Sequence, residues 1–145
     1  MTTKQTLAVG AYNSGFNCAQ AVLSAFCDDY GLDKDTAMQL SSAMGGGFRV
    51  GEICGAAAGA GVVIGLKYGQ HRSGDAEAKQ LCYDKTIEYM NAFKAVNGAL
   101  ACRNLLERDI SDKKEYEELK LSGVFKSKCS VIISNAVRLL EELDY

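Results

Sequence analysis

Not one of the 145 residues is proline. Helices can therefore run without the break that a missing N–H and a fixed φ impose, and glycine and asparagine must do the punctuation. No segment shows the sustained apolar–polar alternation of a half-buried strand. Gly55-Ala56-Ala57-Ala58-Gly59-Ala60-Gly61 is too small-sided and too alanine-rich to be anything but helix. An all-α bundle with four or five principal helices is expected, in one domain over residues 1–145.

The elements follow from caps and spacing. Thr3 to Tyr12 reads as a first helix, and Asn13 or Ser14 would start a second that runs to Tyr30, with Gly31 ending it. Asp33 would cap a helix through Met44. A glycine-rich loop, Gly45 to Gly51, leads into a helix from Ala56 to Tyr68. Gly55/Gly59 and Gly61/Gly65 are spaced by four, so each pair lies on one face that another helix can approach closely. Ser73 or Asp75 would cap a long helix through Val96, with Leu81, Ile87, Met90 and Phe93 inward, and Ala99 to Leu106 would continue after Asn97-Gly98. Residues 107 to 120 are dense in mixed charge and read as a solvated connecting helix. Ser127 would cap a last helix from Cys129 to Leu143.

Composition narrows the functions. Hydrophobic residues make up 48% and the net charge is −2. There is no basic stripe for nucleic acid and no polybasic segment for an anionic membrane. No apolar run approaches a membrane span, and Met1 to Gly10 lacks the apolar core of a secretory signal. A cytoplasmic location is expected. Six cysteines in a reducing compartment point to metal or redox chemistry rather than permanent bridges.

Cys18, Cys54, Cys102 and Cys129 each fall at the start of a different expected helix. Free N–H groups and the helix dipole there favour a thiolate. Cys54, at the junction of the glycine loop and the alanine helix, is the strongest candidate nucleophile. Four thiols meeting in a bundle would suit an iron–sulfur cluster or zinc, and two would suit disulfide exchange. The competing reading is that each simply fills the core, and no C-x-x-C pair settles the matter. Cys27 falls on the opposite face of Cys18's helix, and Cys82 lies mid-helix, so both read as packing thiols. Arg49 reads as a solvated loop arginine, with neutralisation of clustered thiolates as its alternative. His71, the lone histidine, receives no role. Gly46 to Gly51 has phosphate-loop spacing, but Glu52-Ile53 stands where Lys-Ser/Thr is needed, so a nucleotide is not expected.

Asn17-Cys18-Ala19-Gln20-Ala21-Val22, then Gly51-Glu52-Ile53-Cys54-Gly55-Ala56-Ala57-Ala58-Gly59, then Cys102 and Cys129, resembles the C_GCAxxG_C_C family of redox-active proteins. The likeness runs from about Asn17 to Cys129. It implies that Cys18, Cys54, Cys102 and Cys129 are the characteristic cysteines and that Cys27 and Cys82 lie outside the motif. It also implies electron transfer, since related domains accompany cytochromes and transporters in anaerobes.

The expectation is a redox protein in which Cys18, Cys54, Cys102 and Cys129 ligate a [2Fe–2S] or [4Fe–4S] cluster, with Gly51, Gly55 and Gly59 beside Cys54 giving it room. A thiol–disulfide oxidoreductase using Cys54 and a resolving cysteine is the enzymatic alternative. A zinc-bound or metal-free interaction module is the third. The expected partner is another redox protein, and the small-residue face around Gly55, Gly59 and Gly65 would serve either internal packing or a homodimer.

Overall fold

The chain forms eight α-helices and no strand, as the sequence leads one to expect. A computed structural model describes residues 1–145. The helices are α1 (Thr3–Asn13), α2 (Cys18–Ser24), α3 (Lys34–Ser41), α4 (Gly55–Tyr68), α5 (Ala76–Asn97), α6 (Cys102–Leu106), α7 (Lys113–Ser122) and α8 (Ser130–Glu142). Five of them have ten or more residues. None is long and apolar enough to cross a membrane.

Side-chain caps define most helix starts. Thr2 and Gln5 close a reciprocal capping box on α1, and Asn17 and Gln20 do the same on α2. Asp33, Asp75 and Asp112 cap α3, α5 and α7, each accepting from the backbone N–H three residues on. The cap of α2 corrects the expectation of Asn13 or Ser14. Ser14 Oγ instead turns back to the Ala11 carbonyl at 2.8 Å, and Gly15 takes φ +110°. Asn17 is thus the first residue free to cap, which puts Cys18 at the first helical position. Beyond Ser24 the segment tightens to a 3₁₀ turn, Cys27–Tyr30, closed by left-handed Gly31.

Helix α4 is the centre of the fold. Its Gly55, Ala56, Ala57, Gly59, Ala60, Val63 and Ile64 are all buried. An all-round apolar helix is stable only when other helices cover it. Helix α2 does so at close range: a Cβ on Gly59 would stand 2.6 Å from the Ala19 carbonyl oxygen, and one on Gly55 3.1 Å from Cys18 Cβ. The first small-residue pair therefore serves internal packing. Gly61 and Gly65 meet no neighbour within 4 Å, so the second pair seats no helix.

Helix α8 supplies Ile132, Ile133, Ala136, Val137, Leu139 and Leu140 to the core. Helix α5 buries only Tyr89 and Phe93, and the Tyr89 hydroxyl donates to the Ala136 carbonyl at 2.8 Å. Leu81 and Ile87, expected inside, are exposed. Twenty-two residues of helix lie against α4 and α8 along too narrow a stripe to cover them.

Two further expectations are corrected near the C-terminus. The charged stretch 107–120 is not wholly solvated: Ile110 and Leu119 are buried. They join Cys102, Leu106 and Cys129 in a second, smaller apolar cluster. Ser127 does not cap the last helix. Left-handed Gly123 ends α7, and the chain turns helical again at Val124. It then passes through one π turn, Phe125–Cys129, before α8. Ser127 Oγ donates to the Gly123 carbonyl at 3.2 Å within that stretch.

Candidate functional site

Backbone pairing brings the first two thiols together. Cys54 N–H donates to the Leu100 carbonyl at 2.8 Å and Cys102 N–H to the Glu52 carbonyl at 2.6 Å. The result is a single antiparallel bridge, Ile53 opposite Ala101, in an otherwise helical chain. Arg103 locks it from outside, donating to the Gly51 and Val50 carbonyls at 3.1 Å and pairing with Glu52. Cys54 and Cys102 then stand at the starts of α4 and α6, on the same end of the bundle.

Cys18 joins them because Gly55 lets α2 and α4 touch. Cys129 arrives by the π turn. An extra residue in a helical turn shifts the facing of the side chains after it, and such turns concentrate at functional sites. The Tyr12 hydroxyl, from the end of α1, donates to the Phe125 carbonyl at 3.0 Å and ties that turn to the site.

The four thiols line one cavity of about 430 Å³. Cys54, Cys102 and Cys129 are buried and Cys18 half-buried, and all six cysteines are unbridged. Gly55 lines the cavity with them, whereas Gly51 and Gly59 do not. Gly59 is a packing contact with α2, and Gly51 stands beside Arg103 with φ +74°. Cys27 is buried in the main core, its thiol donating to the Ser24 carbonyl at 3.5 Å. Cys82 packs against that same core. Neither lines the cavity, nor does His71.

The charge distribution differs from the expectation at Cys54. Burial pushes the Cys54 thiol up to about 11, and the Ala56 and Ala57 amides offset only part of that. Burial pushes Cys102 up to about 12, with the Cys54 and Cys129 sulfurs adding to it and Arg49 opposing. A helix start thus does not make a thiolate where water is excluded, because desolvation of the charged form outweighs the local dipole. Cys129 is the exception. The neighbouring Cys18 thiol, and to a smaller extent Tyr12, hold it below the usual thiol range despite burial. Cys18 is held well above that range. Of the four thiols, Cys129 is the one whose surroundings favour the charged form.

Several lining residues escaped the sequence reading: Tyr12, Asn17, Ile110, Tyr116 and Phe125. Arg49 also lines the cavity, and its guanidinium lies 3.7 Å over the Tyr116 ring. It gets there through an unusual backbone. Gly46, Gly47, Phe48 and Arg49 all have φ between +57° and +64°. A side chain in that region costs about 1–2 kcal/mol, so Phe48 and Arg49 are held there against their preference. The Gly47 carbonyl accepts from Glu52 N–H at 3.2 Å, closing the turn. A Cβ on Gly47 would lie 2.4 Å from that same nitrogen. The one signal in the sequence was the triple glycine, which marks an unusual turn without saying what it carries.

No three cysteine, histidine, aspartate or glutamate side chains are grouped closely enough to hold a single metal ion. Four sulfurs from four segments border a cavity of several hundred cubic ångströms, and four cysteines are also the ligand set of an iron–sulfur cluster. Such a group spreads its ligands over several metal atoms.

An arrangement of separated cysteines on one all-helical scaffold defines a class of redox-active cysteine proteins. The sequence profile of the family described as "Putative redox-active protein (C_GCAxxG_C_C)" matches residues 16–143, and the chain belongs to that family. Comparison with curated proteins and with solved structures returns no match.

Proposed function

We propose that this protein carries electrons on an iron–sulfur cluster held by Cys18, Cys54, Cys102 and Cys129. The observation that carries the reading is the convergence of these four cysteines, from four separate segments, on one cavity. Four cysteine sulfurs are the ligand set of a [2Fe–2S] or [4Fe–4S] cluster. Such a cluster, when bound, accepts and donates one electron at a time.

The chain's own residues would prepare the site. Burial keeps water from three of the four sulfurs. The Ala56 and Ala57 amides favour negative charge on Cys54, and Arg49 favours it on Cys102. Amide donors and a nearby cation both raise a cluster's reduction potential, while a dry surround lowers it. Anaerobic purification from iron-replete cells, followed by iron and sulfide analysis and a visible spectrum, tests this. Coloured protein with stoichiometric iron and sulfide is expected, and colourless, iron-free protein ends the reading.

A second reading is favoured by Cys18 and Cys129, neighbouring unbridged thiols on the same cavity, which suit thiol–disulfide exchange. Cys129, not Cys54, would attack a disulfide substrate, releasing one thiolate and forming a mixed disulfide. Cys18 would then attack Cys129 Sγ and release the second thiolate. The substrate disulfide is thereby reduced to two thiols, and the protein is oxidised to a Cys18–Cys129 bridge. Mass spectrometry after exposure to a small disulfide checks it. A bridge between these two cysteines is expected, and random pairing or none excludes it.

A further inference from the structure

Carbon, not sulfur, makes up much of the cavity wall. Leu106, Ile110, Tyr116 and Phe125 border it along with the cysteines. The Tyr116 and Phe125 rings lie 5.4 Å apart, and the Arg49 guanidinium lies 3.7 Å from the Tyr116 ring centre. A mostly apolar cavity with a few placed polar groups, in the range of ~300–1,000 Å³, is the usual form of a small-molecule site. At about 430 Å³ this one falls inside that range.

Arg49 is the only charged residue on the cavity wall, and no aspartate or glutamate borders it. None of the six ion pairs of the chain uses it. It is also held in a left-handed backbone conformation next to a left-handed phenylalanine. Strain of that kind persists where the surrounding structure enforces it, and it concentrates at ligand clamps. A guanidinium at the exposed edge of an apolar cavity recognises one chemistry: a planar or tripodal anion attached to an apolar body.

We propose that the carbon-lined part of this cavity binds a small organic anion, its carboxylate or sulfonate on Arg49 and its apolar body against Tyr116, Phe125 and Ile110. This goes beyond electron transfer and does not depend on what the thiols hold. With Arg49 and the four cysteines on one cavity, the bound organic molecule would lie beside the redox group.

Two dyes that differ only in a sulfonate test it: 8-anilino-1-naphthalenesulfonate and its uncharged parent, N-phenyl-1-naphthylamine. Equilibrium dialysis is run on anaerobically purified protein, with iron measured on the same sample. One equivalent of the anionic dye is expected to bind, at least about tenfold more tightly than the neutral one, the contribution of a charged hydrogen bond. Arg49→Gln should abolish that preference while leaving the neutral dye unchanged, and Arg49→Lys should keep part of it. Ile110→Trp, which fills the cavity, should weaken both. Equal affinity for the two dyes, or an anionic preference that survives Arg49→Gln, overturns the proposal. If Arg49 serves only the thiolates, its loss alters iron retention and leaves dye affinity untouched, which also overturns it. Iron-free protein that still selects the anionic dye refutes the cluster reading alone.

Discussion

The two ends of α4 do opposite things with the same kind of residue. Along its body, Gly59 and the alanines remove side chains so that α2 can press against it, and the interior there is filled. At its start, Gly55 brings Cys18 near, yet the space beyond stays open and is ringed by sulfur, aromatic rings and one arginine. Small residues close the first region by letting backbones touch. In the second they let segments converge without filling the centre. The cavity exists because the packed end fixes where α2 and α4 begin.

The most direct way to break this relation is at the packed end. Gly59→Val puts a branched side chain where even a Cβ would lie 2.6 Å from the Ala19 carbonyl oxygen, a backbone atom that cannot swing away. Overpacking typically costs 1–3 kcal/mol and here is expected to reach about 3 kcal/mol or more. Chemical denaturation measures it. Because α2 must move, the iron content that the proposed cluster would give should fall as well, although residue 59 does not line the cavity. A loss below about 1 kcal/mol would mean that the contact with Ala19 is not what positions Cys18.

The cavity end is sensitive to pH through its thiols. The Cys54 thiol is raised to about 11 in the folded protein, against an ordinary value of about 8.5 when unfolded. Its stabilising effect is complete below about pH 8.5. As pH rises from there, the unfolded chain loses this proton while the folded chain keeps it, so stability falls, and the loss is complete near pH 11. The slope from this one thiol approaches about 1.4 kcal/mol per pH unit. Denaturation of the reduced, iron-free protein across that interval should show it, and Cys54→Ala should remove it. An unchanged slope in the variant would mean that the cavity floods with water once emptied.

The thiols should also separate by reactivity. In reduced, iron-free protein, Cys129 is held below the usual thiol range, whereas Cys54 and Cys102 are pushed above it. Alkylation followed by peptide mapping should label Cys129 at least about tenfold faster than Cys54. Cys18→Ser removes the neighbouring thiol that holds Cys129 below that range, so it should slow that labelling. Faster labelling of Cys54 would restore the helix-start argument that burial overrides here.

The packed region was legible in the sequence, and the cavity only in outline. Proline's absence and the Gly55–Gly61 run give an all-helical chain with a close contact at Gly55 and Gly59. Local chemistry decides such features. The choice of Cys18, Cys54, Cys102 and Cys129 over Cys27 and Cys82 came from helix starts and from family likeness, and three of the four are at helix starts. Cys129 reaches the cavity by a π turn, for which Phe125 to Cys129 carries no signature. The thiolate was misassigned because the dipole at Cys54 is a local quantity, while the desolvation that outweighs it depends on the whole fold. Tyr12 and Tyr116 have no signal in the sequence, and Arg49 has only its alternative role beside the thiolates, since only tertiary structure brings residues 12, 49 and 116 to one wall.

The smallest expected effect sharpens the comparison most, because its sign reverses between the two regions. Replacing an apolar residue by glycine in the packed end would cost stability. Phe48, half exposed at 51% and held at φ +57°, should do the opposite. Left-handed strain of about 1–2 kcal/mol is relieved, and the extra freedom of glycine in the unfolded chain returns roughly 0.5–1 kcal/mol of that. A net gain of about 0.5 kcal/mol in the unfolding free energy of Phe48→Gly is expected. The same change loosens the turn that holds Arg49 over Tyr116, so the anionic dye should bind more weakly in a protein that is slightly more stable. A variant that loses stability would show that Phe48 contributes packing in the fold, and that the strain in this loop is outweighed locally rather than held for the cavity.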